Sequence, residues 1–177
     1  MTGSIIWLTG LSGAGKSTIA EALTTELRAE GRWVLLLDGD AVRTGLNRDL
    51  GFSDADRTEN VRRIAAVAAL AAASGAVAIV PVIAPRRVMR AAARVAAGSL
   101  PFVEVHVATS LAVCETRDPK GLYRKARAGI LKGFTGIDDP YEAPESPDVR
   151  IDTAVTPVTE AVARIRNALA QPDPRPA

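Results

Sequence analysis

Apolar residues in this chain fall into short unbroken runs separated by longer stretches with helical spacing. Ser4–Thr9, Trp33–Leu37, Val77–Ile83, Phe102–Val107 and Val149–Ile151 each have the length of a strand. Most are apolar at successive positions, the pattern of strands covered on both faces. Pro81 argues against placing the whole of the third run in the middle of a sheet. Helical spacing predicts helices over Lys16–Ala29, ended by Gly31, and over Asp54–Ser74, with Ser53 as N-cap and Gly75 as stop. Further helices are predicted over Pro85–Ala97 and Ser110–Arg117, and a last one capped by Thr156 with Pro157 at its first position. Asp38-Gly39-Asp40 closes the second strand and leads into a turn-rich connector; Asp118–Pro147 reads as a polar stretch. Strands alternating with helices predict an α/β fold, a mostly parallel sheet with helices on both faces and ligands at the carboxyl ends of the strands.

Composition narrows this without redirecting it. A length of 177 residues suits one domain, expected over 1–171, with a proline-rich tail at 172–177 that reads as disordered. A net charge of +2 is too weak to argue for nucleic-acid or membrane binding. Cys114, the single cysteine, excludes an internal disulfide and fits a reducing compartment. The first apolar run is too short for a secretory leader, and Ile64–Val82 is interrupted by Ser74-Gly75. The chain therefore reads as cytoplasmic.

Chemistry concentrates after the first strand, at Gly10-Leu11-Ser12-Gly13-Ala14-Gly15-Lys16-Ser17, followed by Thr18. A G-x-x-x-x-G-K-[ST] match counts when a strand precedes it and a helix follows, as here. Glycines let the backbone turn its amides toward a phosphate chain, and the helix N-terminus adds positive potential. This predicts a P-loop nucleoside-triphosphate site over Gly10, Ser12, Gly13, Ala14, Gly15, Lys16, Ser17 and Thr18, with Lys16 on the β- and γ-phosphates and Ser17 on Mg²⁺.

Asp38 and Asp40 leave the second strand toward the same crevice. If they alternate as strand residues do, both carboxylates face the site. One could support Mg²⁺ and the other accept a proton from an attacking hydroxyl; the competing reading is a turn held by local aspartate hydrogen bonds. Arg43 and Arg57 suit phosphate or sulfate oxygens, whereas Arg48, Arg62 and Arg63 read as a solvated face. Phe52, isolated in a polar connector, either packs under the loop or stacks on a base. Arg117, Lys120, Arg124, Lys125, Arg127 and Lys132, interleaved with Gly121, Gly129, Gly133 and Gly136, look like a mobile lid over about 117–147. His106 reads as a sheet residue and Cys114 as a small core hydrophobe.

GLSGAGKST, LDGDAVR, LGFSDADRTENVRRIA, CETRDPKGLYRKARAG and KGFTGIDDPYEAP together resemble the adenylylsulfate kinase family of P-loop kinases over nearly the whole chain. The resemblance implies a three-layer P-loop fold and phosphorylation of the 3′-hydroxyl of adenylyl sulfate, with Mg²⁺ as cofactor and ATP as donor. It implies Asp40 as base, with Lys16 and Asp38 also catalytic and Ser17 and Asp38 on the metal. Arg124 and Arg127 would join the ATP site. Asp40, Arg43, Phe52, Arg57, Asn60, Ile83, Ala84, Lys120, Gly133 and Phe134 would hold the acceptor, Phe52 and Phe134 as plates on either side of its adenine. ATP and adenylyl sulfate are the implied partners, and a homodimer is an assembly the resemblance allows. Two alternatives stand beside it: a kinase of the same build with another nucleotide-like acceptor, and a nucleotide-dependent switch. The family usually carries serine where this chain has Ala84, which closes any route through a phosphoserine there. Arg86-Arg87-Val88-Met89-Arg90 also departs from the commoner pattern.

Overall fold

The computed structural model describes residues 3–171; the tail expected at 172–177 lies outside them. Five parallel strands form one sheet in the order β2-β3-β1-β4-β5, with β1 Ser4–Thr9, β2 Val34–Leu36, β3 Val77–Pro81, β4 Phe102–Val107 and β5 Val149–Ile151. Among the described residues seven helices accompany them: α1 Lys16–Ala29, α2 Gly39–Thr44, α3 Asp54–Ala73, α4 Arg87–Ala97, α5 Leu111–Arg117, α6 Leu122–Arg127 and α7 Val158–Ala170.

Alternation along the strands sorts the core into two layers. Ile6, Leu8, Val77, Ile79, Val103 and Val105 point to the side covered by α1 and α7. Ile5, Trp7, Ala78, Val80 and Phe102 point to the side covered by α3 and α4. Trp7 and Ile6 are both fully buried, as a strand enclosed on two faces requires. On the α3–α4 side the helices turn several alanines inward, among them Ala65, Ala68, Ala72 and Ala93, and Trp7 and Phe102 stack 6.1 Å apart.

Several boundaries move from the sequence-based expectation. Strand β2 is three residues long, and Trp33 stands outside it, 60% exposed. Strand β3 stops at Pro81: the Leu37 N–H bonds the Ile79 carbonyl at 2.8 Å, so residue 81 would be the next donor toward β2, and proline has none. The chain after β3 leaves the strand conformation, and α4 begins at Arg87, not Pro85. Ser53 caps α3 as expected, its Oγ accepting from the Asp56 N–H at 3.1 Å. Pro157 occupies the N-cap of α7, one position earlier than expected, so Thr156 is not the cap. Helices α2 and α6 were not expected at all.

Strand β1 lies where the order reverses, between β3 and β4. A parallel sheet opens a ligand crevice at that point. The segments leaving all five strands contribute to it: the glycine loop, Asp38, Ala84, Thr109 and Thr153.

Candidate active site

A cleft of about 970 Å³ runs across the carboxyl edge of the sheet, from the glycine loop to the segment around Phe134 and Thr135. At its floor the loop packs so tightly that a Cβ on Gly10 would lie 2.4 Å from the Val107 carbonyl oxygen. Gly15, at φ +103°, occupies a left-handed conformation that glycine adopts freely. Five successive loop carbonyls each accept from a side chain. Lys16 Nζ donates to Gly10 O at 2.9 Å and Leu11 O at 2.7 Å. Tyr123 Oη donates to Ser12 O at 2.8 Å and Arg117 Nη1 to Gly13 O at 3.3 Å. The hydroxyls of Thr109 and Thr153 both reach Ala14 O, at 3.1 and 2.8 Å. With the carbonyls fixed on the protein side, the loop is committed to an anion-binding conformation. Helix α1 starts directly from it, with no side chain capping its first amides.

Lys16 is buried, and burial lowers its pKa to about 8. Lys120 nearby pushes the same way, while Cys114, Asp38 and Asp40 favour the cation. A buried ammonium held only by carbonyls is a group that gains when an anion arrives.

The two aspartates reach the cleft by a different route from the expected strand alternation. Asp38 is the N-cap of α2, its Oδ1 accepting from the N–H groups of Asp40 at 3.0 Å and Ala41 at 3.3 Å. The turn-type hydrogen bonds are therefore real, but they use one oxygen. Oδ2 faces Ser17 Oγ at 3.4 Å, so a hydroxyl and a carboxylate oxygen sit side by side at the mouth of the loop. Mg²⁺ typically takes one or two protein oxygens and fills its shell with water and phosphate, and this pair fits that pattern. Among the described residues no cluster of three or more His, Cys, Asp or Glu could hold a metal. Asp40 lies in the first turn of α2 and pairs with Lys120 Nζ across the cleft; their side chains are 72% and 54% exposed.

Opposite the loop, side chains of α2, α3 and the 133–139 segment form the second half of the cleft. Arg43 lies 4.3 Å above the Phe52 ring, which is 68% exposed. Phe52 therefore does not pack under the loop. Arg57 donates to Phe52 O at 2.8 Å, to Thr135 Oγ1 at 2.7 Å and to Gly133 O, and pairs with Asp139 at 3.6 Å. Asn60 is buried, its Oδ1 accepting from Asn47 Nδ2 at 2.9 Å. Phe134 meets Tyr123 edge to face, 5.0 Å between centroids. Ala84 is buried with φ +42°, a conformation costing a non-glycine residue about 1 kcal/mol. Its carbonyl accepts from Arg90 Nη1 at 2.6 Å.

A sequence profile of the family described as adenylylsulphate kinase matches residues 2–152. The chain belongs to the adenylylsulphate kinase family. The adenylyl-sulfate kinase of Enterobacter sp. (strain 638) is 54% identical over 171 residues, covering 97% of this chain and 85% of that protein. That of Shewanella amazonensis is 53% identical over 163 residues, covering 92% and 82%. Among solved structures, the Mycobacterium tuberculosis APS kinase CysC in complex with AMPPNP and APS superposes with a TM-score of 0.92 at 46% identity. It covers 96% of this chain and 99% of that one.

Within this adenylylsulphate kinase fold, most residues singled out from the sequence meet in one cleft. Ser12, Gly13, Gly15, Lys16, Ser17, Thr18, Asp38 and Asp40 line it, as do Arg43, Phe52, Arg57, Asn60, Ile83, Ala84, Lys120 and Phe134. Gly10 and Ala14 build the loop wall, and Gly133 anchors Arg57 through its carbonyl. Arg124 and Arg127 depart from expectation, since neither lines the cleft. Arg127 pairs with Glu115 at 2.7 Å. The sequence reading missed Thr109, Thr153 and Tyr123. The first two follow β4 and β5, so strand ends alone could have flagged them; nothing in the sequence marks Tyr123. His106 is buried in the sheet as expected. Burial, then repulsion from Arg150 and Arg90, lowers its pKa to about 4 and keeps it neutral. Cys114 is fully buried.

Proposed function

We propose that this chain transfers the γ-phosphoryl group of ATP to the 3′-hydroxyl of adenylyl sulfate, giving 3′-phosphoadenylyl sulfate. The observation that carries the reading is the cleft itself. A committed P-loop with a buried, anion-seeking Lys16 faces a carboxylate, Asp40, and two aromatic rings on one continuous surface. In the ternary complex the loop amides and Lys16 hold the phosphates. Ser17 and Asp38 would hold Mg²⁺, which when bound neutralises phosphate charge. Asp40 aligns the acceptor hydroxyl and takes its proton, Phe52 and Phe134 flank the acceptor adenine, and Arg43 and Arg57 meet its phosphosulfate. Lys120, now paired with Asp40, moves to acceptor or phosphate oxygens when the 117–147 lid closes. An exposed pair of this kind is worth about 0–1 kcal/mol, so releasing Asp40 costs little. Because residue 84 is alanine, no oxygen-linked phosphoenzyme can form there, and on this reading the phosphoryl group passes in line from ATP to the acceptor.

An acceptor-dependent ADP-release assay tests the reading. Adenylyl sulfate should stimulate release strongly, with initial rates requiring both substrates bound together. Stimulation only by another nucleotide, or by no acceptor, would reject it, as would γ-label retained on the protein and passed on to the acceptor.

A further inference from the structure

Tyr123 touches both halves of the cleft from behind. It is 2% exposed. Its hydroxyl donates to the Ser12 carbonyl at 2.8 Å, fixing the centre of the phosphate loop. Its ring meets Phe134 edge to face at 5.0 Å and 86°. The backbone beneath it is held as well: the Asp118 carboxylate accepts from the N–H groups of Tyr123 and Arg124, each at 3.0 Å. A buried ring in this position cannot shift at one end without displacing the other. A phosphate chain that holds the loop around Ser12 therefore also holds the Tyr123 ring against which Phe134 rests.

We propose that Tyr123 is a positioning residue that couples the donor and acceptor sites, so that a nucleotide on the loop sets Phe134 for the acceptor base. The proposal rests on the function assigned above. Its two ends are chemically separable. Tyr123→Phe removes the donor to Ser12 and keeps the ring on Phe134. Coupling is reciprocal, so either ligand can report it. The measurement is the affinity of adenylyl sulfate by calorimetry, with and without saturating AMPPNP and Mg²⁺.

In the wild-type protein AMPPNP should tighten adenylyl sulfate binding about five- to fiftyfold. In Tyr123→Phe that factor should fall toward one, while adenylyl sulfate alone binds within about threefold of wild type. The KM for ATP should rise about two- to tenfold, the expected effect of one neutral hydrogen bond. Thermal unfolding monitored alongside guards against a folding defect, and Phe134→Leu should reduce the same coupling factor from the other end. A wild-type coupling factor in Tyr123→Phe, or none in the wild type, overturns the proposal. If the wild type binds no adenylyl sulfate under either condition, the assigned function fails and the proposal falls with it, an outcome distinct from binding without coupling.

Discussion

Around the glycine loop, the carbonyls of Gly10 to Ala14 are each claimed by a side chain, and most of those side chains are buried or half-buried. Across the cleft, Phe52 is 68% exposed, Asp40 and Lys120 hold each other in solvent, and Arg57 spans two segments to keep the far wall in place. One half is set before a ligand arrives; the other is assembled from contacts weak enough to exchange. Phosphate geometry is nearly invariant and rewards a rigid cradle, since preorganised dipoles cost nothing to reorient during reaction. The acceptor must enter, have a hydroxyl aligned and leave again, and exposed ion pairs worth about 0–1 kcal/mol are suited to being broken.

Substitutions at each half should fail in ways that expose this contrast. Lys16→Ala strikes the rigid half and should have the largest effect. A loss of about four orders of magnitude in kcat/KM for ATP is expected, with circular dichroism and unfolding midpoint preserved. Asp40→Asn comes next. Saturated turnover should fall about two to four orders while ATP affinity stays close to wild type, because the carboxylate acts on the acceptor side. Turnover equal to wild type would remove Asp40 from the mechanism.

Acidity should divide the halves as well. Burial lowers the Lys16 pKa to about 8, so the cation that phosphate selects is present below pH 8 and lost above it. The kcat/KM for ATP should therefore drop about tenfold between pH 7 and 9, with the loss displaced upward in kcat, where bound phosphate restores the proton. The sign for stability is opposite: folding lowers this pKa from 10.5, so the penalty for burying the cation is present below pH 8 and disappears as pH rises toward 10.5. The smallest effects belong to the aromatic plates. Phe52→Leu or Phe134→Leu should weaken adenylyl sulfate binding by about 0.5–1.5 kcal/mol and leave ATP nearly unchanged. Equal weakening of both ligands, each measured alone by calorimetry, would mean that the two rings do not act on the acceptor side.

The rigid half was also the half most legible in the sequence. A fixed backbone shape needs glycine at fixed spacing, and that leaves a readable motif. Both-face burial likewise leaves continuous apolar runs in β1, β2 and β3, while β4 and β5 show through alternation. Helices α2 and α6 escape a periodicity reading because six residues carry no usable pattern, and the Asp38 cap of α2 reads equally well as a turn. The first residue of α2 is Gly39, and the carboxylate serving α6 comes from Asp118, outside the helix, while its N-cap Gly121 offers no side chain. Missing α2 is why Asp38 and Asp40 reached the cleft by an unexpected path. Strand β3 was overextended because apolar residues continue past Pro81, whereas its partner β2 had already ended. The pairing of Arg127 with Glu115 is a contact that the basic composition of its segment does not reveal.

Arg86, Arg87 and Arg90, the departure from the commoner pattern noted in the sequence, fasten the returning chain by side-chain bonds to Asp139, Glu142, Ala143 and Glu145. Arg57 holds Gly133 and Thr135 just upstream, and β5 and α7 follow in the sheet and its outer layer. Ile130, by contrast, directly after Gly129, is 76% exposed. The peptide backbone near Ile130 is thus an exposed link between two stretches that are each fastened elsewhere. A protease cut there would leave two fragments that stay associated, and the two pieces supplied separately should find each other and restore one fold.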